Sequence, residues 1–319
     1  MKKIDFSIMK KVFSGNSVLV LLVIIIVLVF GAIDPQFIRA ANLIQYLTSG
    51  VALGFLTFGL SATVITGNFD YSIGSMTSFG TVMMALLMSN GVAMIAALII
   101  TFLLLLMIGA VNGVVVGYLK IPGMLGTLGT SSVIYGTSLV LTKGQAIAAD
   151  NEAYLFFGKS DLGTLPFGLI FLVVVFVASM IFMHKTKTGR SIYLVGSSPK
   201  AAKFTGISYF KMVLTAHLYS AAMCFCGAVV LGSKMASGRA DVADTYILQA
   251  VTAAVFGGIS IKGGKGSIGG ALLGVIIFTL LTSGFTMINV SQFYRQVATG
   301  MLLLIILFIR NFRIIFAKS

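Results

Sequence analysis

Few residues in this chain are able to carry chemistry. The two histidines, His184 and His217, have no Cys, Asp or Glu beside them at the spacing of a metal site. His217 lies inside an apolar run, where a lone imidazole is more often hydrogen-bonded packing than a proton relay. Cys224 and Cys226 stand two apart in one apolar run, so a helix turns them to different faces. They read as small packing residues rather than a disulfide or metal pair. Gly264 to Gly269 spells G-x-G-x-x-G, but a dinucleotide fingerprint needs a preceding strand, and apolar runs flank this one. No G-x-x-x-x-G-K-[ST] occurs, so ATP is not expected to bind through a P-loop. No apolar run holds a pair of carboxylates, which argues against a proton- or sodium-coupled carrier. Unwound backbone can also coordinate sodium, so the carrier class stays open. No catalytic residue, cofactor or metal is expected.

Two kinds of chemistry remain. The first is neutral hydrogen bonding inside a membrane. Thr127, Ser131, Tyr135 and Ser138 fall at i, i+4, i+8 and i+11, on one helical face, and Gln249 and Thr252 stand in a later apolar run. Sparse neutral hydroxyls and amides suit a pathway that passes a solute without holding it. They suit interhelical hydrogen bonds equally well. Asp70, just before another apolar run, reads first as a helix cap at the positive dipole end and second as a gating residue.

The second is docking. Residues 185–211 carry six Lys/Arg and no acid, between apolar runs at 162–184 and 212–233. Such a loop is held in the cytoplasm by the positive-inside bias. Within it Ser198 is a good N-cap, Pro199 suits the first helical position, and Gly206 suits a left-handed C-terminal residue. A short capped helix on that face implies a cytoplasmic partner.

Composition fixes the class. The chain is 58% hydrophobic and 9% charged, with mean hydropathy +1.06. A soluble domain carries about a quarter charged residues. The expected fold is an all-α integral membrane protein, 1–319 forming a single transmembrane domain with the loop 185–211 on its cytoplasmic side. Against the ~20 residues of a spanning helix, ten runs qualify: about 17–33, 45–66, 71–88, 92–118, 123–142, 165–184, 212–232, 246–261, 267–286 and 293–310. The third and eighth are short and rich in small residues, and read as broken or partial spans. With both termini cytoplasmic, sixteen of 22 Lys/Arg lie inside with only Asp5 and Asp70, which favours ten crossings. Lys2, Lys3, Lys10 and Lys11 precede the first run with no small-residue cleavage site after it, so that run reads as a signal anchor. The +14 net charge is spread over loops and does not suggest nucleic acid.

Gly109, Gly113 and Gly117 repeat every four residues, as do the pairs Gly50/Gly54 and Gly270/Gly274. That spacing lets helix backbones approach closely in lipid. A loose echo links ATVITGNFDYSIGSM, from Ala62, with AAVFGGISIKGGKGSIG, from Ala253. Each sets a glycine-bearing turn between an apolar helix and a small-residue-rich one.

TGNFDYSIGS (66–75), NGVVVGYLKIPGMLGTLGT (112–130), TKTGRSIYLVGSSPKAAKFTGI (186–207) and AVFGGISIKGGKGSIGGALLG resemble, in order, segments of the ribose-type sugar ABC importer permeases. The similarity covers essentially the whole chain. Asn68 replaces a usual Gly, Gly123 a second Pro and Met124 a common Phe, which touches the individual sugar and not the family. Branched-chain amino acid permeases, a related group, lack the D-x-S-x-G arrangement, which favours sugar.

The resemblance implies a large ABC importer permease bundle of about ten helices in a bacterial inner membrane. It implies two permease copies, as a homodimer or a heterodimer, with ATP-binding subunits docked from the cytoplasm and an external sugar-binding protein. ATP hydrolysis then belongs to a separate subunit, and this chain is not an enzyme. The capped helix becomes the coupling helix, with Ser198, Pro199, Ala201, Ala202, Phe204 and Gly206 in the docking segment and Ala201, Ala202 and Phe204 as candidate contacts. An ABC permease for nucleosides or amino acids, or a secondary carrier without an ATPase, are the alternatives.

Overall fold

The computed structural model describes residues 16–301, with 304 and 308. The N-terminal lysines, Arg310, Arg313, Lys318 and most of the second half of the tenth predicted span lie outside the described residues. Within them the chain is mostly helical. Strands are confined to two-residue pieces, β1 (Ile147–Ala148) pairing with β4 (Ser237–Gly238) and β2 (Asp161–Leu162) with β3 (Leu165–Pro166).

The helices are α1 (Asn16–Ile33), α2 (Ala40–Ser49), α3 (Val51–Ile65), α4 (Ile73–Ser89), α5 (Met94–Gly117), α6 (Gly123–Thr142), α7 (Glu152–Lys159) and α8 (Phe167–Met180). They continue with α9 (Lys187–Ser197), α10 (Pro199–Phe204), α11 (Tyr209–Met235), α12 (Tyr246–Phe256) and α13 (Ile268–Met287), and residues 292–301 are helical again. Five of these are long and apolar enough to cross a membrane: α5, α6, α8 extended to Lys185, α11 and α13. A sixth is α2 with α3, bent by 45° at their break. Three apolar helices, at 17–33, 73–89 and 246–256, are shorter. The protein is a multi-pass membrane protein.

Three differences from the sequence reading have local causes. The single run at 45–66 is two helices, because Gly50 ends one and begins the next. The run at 246–261 is helical only to Phe256, because Gly257 closes it and Gly258 turns left-handed at φ +85°. The helix α7, capped by Asn151 through Tyr154 N–H at 3.1 Å, was not foreseen.

Burial sets the layering. Every residue of α3 is buried, as expected of a helix apolar all round at the centre of a bundle. Helix α5 is two-sided: Ala97, Thr101, Leu105, Gly109, Asn112 and Gly113 face inward, while Ile95, Ile99, Leu103, Met107 and Val111 are exposed. The outward stripe is apolar, as lipid requires, and the inward one carries the small residues Ala97, Gly109 and Gly113. A Cβ on Gly109 would sit 2.8 Å from the His217 carbonyl, and one on Gly113 2.8 Å from Leu214 Cα. The repeat of four therefore brings α5 against α11, backbone to backbone.

The two echoing turns meet. Gly264 N–H donates to Ile65 O at 2.8 Å, and α9 joins them through Gly196, whose missing side chain leaves room for Ile65 O and Gly264. The G-x-G-x-x-G letters thus belong to a turn between α12 and α13, with Ser267 capping α13 through Gly270 N–H at 3.0 Å.

Candidate functional site

The segment expected to dock a partner, residues 185–211, is built on two caps. Thr186 Oγ1 accepts from Gly189 N–H at 3.0 Å and starts α9, and Ser198 Oγ accepts from Ala201 N–H at 3.2 Å and starts α10. Pro199 holds the first position of α10, and Gly206 closes it at φ +77°, its N–H on Lys203 O at 3.0 Å. Phe204 is 92% exposed, and Ala201, Lys200 and Lys203 are exposed beside it. Ala202 differs from expectation: it is 1% exposed and faces the bundle, so it is a packing residue and not a docking contact. A helix of six residues offers only one outward face, and Ala202 lies on the other.

Asp70 is not at an exposed edge. The turn after α3 folds back into the bundle and leaves it 1% exposed. Its Oδ1 accepts from Ser72 N–H at 3.0 Å and Ser72 Oγ at 2.6 Å. Its Oδ2 accepts from Ser220 Oγ at 3.0 Å and lies 3.4 Å from His217 Nδ1. Asn112 Nδ2 donates to Ser72 Oγ at 2.8 Å. One carboxylate therefore ties the α3–α4 turn to α5 and α11. It caps the backbone at Ser72, just before α4, and holds the intramembrane histidine. Ser72, Asn112 and Ser220 are members that the sequence reading did not assemble. The signal was a D-x-S turn together with polar residues inside two apolar runs.

The polar face of α6 turns inward. Thr127 is buried, accepts from Tyr71 N–H at 2.7 Å and donates to Gly123 O at 2.7 Å. Ser131 bonds Ser75 on α4, and Ser138, fully buried, donates to Ile134 O at 2.9 Å. Thr252 is buried likewise and donates to Leu248 O at 2.7 Å. Thr127 and Ser131 thus join α6 to the Tyr71–Ser75 segment, while Ser138 and Thr252 bond only within their own helices. Tyr135 and Gln249 each line a cavity. Tyr135 shares one of about 320 Å³ with Gln145, Arg239 and Asp241, the last two joined by a bidentate pair at 3.1 Å. Gln249 shares one of about 510 Å³ with Asp244, Thr245, Gln292, Arg295 and Gln296. Partial desolvation, reinforced by the nearby Asp241 charge, raises the Asp244 carboxyl above its ordinary value, although the side chain is still exposed. Arg295, a cation inside a predicted span, was the overlooked signal for this cavity. Among the described residues no group of three His, Cys, Asp or Glu could hold a metal ion.

The geometry joins a membrane bundle with buried polar groups to a capped helix on an exposed loop. Residues 42–307 match the model of the branched-chain amino acid transport system/permease component family, and the chain belongs to that family. It is similar to the ribose import permease protein RbsC of Bacillus subtilis (strain 168), 29% identical over 283 residues, covering 88% of each chain. It is equally similar to the autoinducer 2 import system permease protein LsrD of Escherichia coli (strain K12), 29% identical over 292 residues, covering 89% of this chain and 88% of that one. No solved structure matches.

Proposed function

We propose that this chain is the membrane-spanning subunit of an ABC importer, forming the path for a monosaccharide or close relative. An external binding protein delivers the solute, and ATP is hydrolysed on a separate subunit docked at α9–α10. The observation that carries this reading is the likeness to a ribose import permease over 88% of both chains, supported by the capped helix α10 with Phe204 outward. The chain acts as one transmembrane domain, 1–319, paired with a second permease copy in a bacterial inner membrane. It crosses ten times with both termini cytoplasmic, the three short apolar helices and the segment from residue 292 completing the count. A second reading, transport of an amino acid or nucleoside, draws on the family's description as a branched-chain amino acid permease component.

Tagged protein purified from cells carrying the whole system should bring an ATP-binding subunit with it, and those cells should take up labelled pentoses or hexoses. Uptake of a nucleoside or amino acid and of no sugar leaves only the ABC permease reading. Transport with no ATP-binding subunit present overturns both.

A further inference from the structure

We propose that the 510 Å³ cavity walled by α12, α13 and the helix at 292–301 is a subsite for a neutral monosaccharide. This rests on the transport reading above. The volume lies within the range of small-molecule sites. Its polar lining is the chemistry that grips vicinal hydroxyls: the amides of Gln249, Gln292 and Gln296, the carboxylate of Asp244 and the guanidinium of Arg295. One positive and one negative group face the same space, so the site suits a ligand without net charge.

Four of these groups have no side-chain partner; Asp244, Gln292 and Gln296 are exposed at the cavity mouth and Gln249 is half-buried. No hydrogen bond or ion pair among the described residues engages the three amides or the Asp244 carboxylate, and Asp244 and Arg295 form no ion pair with each other. Arg295 donates to Thr286 Oγ1, while its Nε is buried without a partner. A buried donor left open is costly unless a ligand or solvent meets it. The hydroxyls contrast with this. Thr282 and Thr299 spend their protons on Phe278 O and Arg295 O and offer only lone pairs to the cavity. The wall therefore presents donors and acceptors together, as a polyol needs.

Position fits the role. The cavity lies at the start of α12 and the end of α13, the far end of both helices from the 257–267 turn that packs on Ile65. With residues 185–211 cytoplasmic, that is the outer end, where a delivered sugar arrives.

Two measurements decide it. In vesicles holding the complete importer, Gln249→Leu and Gln296→Leu should each raise the KM for monosaccharide uptake by roughly threefold to tenfold, the loss of one neutral hydrogen bond. The ATPase subunit should remain attached. Separately, Gln249→Cys in nanodiscs should react with a polar maleimide, and D-ribose, D-xylose or D-glucose should slow that reaction. Unchanged uptake in both leucine variants, or no protection by any of the three sugars, overturns the subsite. If the unmodified importer carries no sugar, the functional reading fails by itself, and protection of Gln249→Cys alone then decides the cavity.

Discussion

At the scale of the residue, Asp70 has the largest expected effect. Its carboxylate satisfies Ser72 N–H, Ser72 Oγ and Ser220 Oγ and lies against His217, all away from water. Asp70→Ala orphans these donors together, and losing one partner of such a buried cluster costs about 3–5 kcal/mol. Asp70→Asn keeps a carbonyl oxygen for the Ser72 donors and should lose less. The chain has no Trp, but Cys224 is buried and Cys226 half-buried, and both are free. A thiol-reactive dye therefore reports thermal unfolding directly. A midpoint for Asp70→Ala equal to that of the parent would show that the cluster holds nothing together.

At the scale of the element, α10 separates folding from docking. Ser198→Ala removes the cap on Ala201 N–H, worth about 1 kcal/mol of helix stability. Ala202→Glu drives a charge into the bundle and should lower the unfolding midpoint. Phe204→Ala changes a side chain that touches little of its own chain, so the midpoint should stay. An exposed aromatic anchor commonly contributes about 2 kcal/mol or more to an interface, so co-purification of the ATP-binding subunit should fall sharply. Retention of that subunit at parental levels in Phe204→Ala places the docking surface elsewhere. The contact of α5 with α11 is a second element-scale case. Gly109→Val pushes a side chain against the His217 carbonyl and should keep the protein from accumulating, whereas Met107→Val on the exposed stripe should not.

At the scale of the whole molecule, topology is the measurable quantity. A cysteine at Ser197, exposed at the end of α9, should label only from the cytoplasm. One at Asp150, exposed before α7, should label only from outside. Tyr154 is a poor reporter for that loop: it is 1% exposed, its ring lying in a cluster with Met84 and Val229. Labelling of both positions from one side would defeat the ten-crossing arrangement.

Features written in short stretches of chain were legible beforehand. The apolar runs located most helices, because a helix in lipid must be apolar along its own length. Ser198, Pro199 and Gly206 marked α10, since capping is settled within a few residues. Gly109, Gly113 and Gly117 marked a close helix contact, since one face recurs every four residues. Which helix they meet was not legible, nor was the partner of Asp70, which lies 147 positions away at His217. The inward turn of Thr127 and Ser131 onto the Tyr71–Ser75 segment, the burial of Ala202 and Tyr154, and the cavity around Gln249 share that cause. Each depends on how distant helices rotate and pack against one another. A chain's local pattern fixes where a helix lies and which side is apolar, while the identity of the group opposite a polar side chain is set only when the bundle closes.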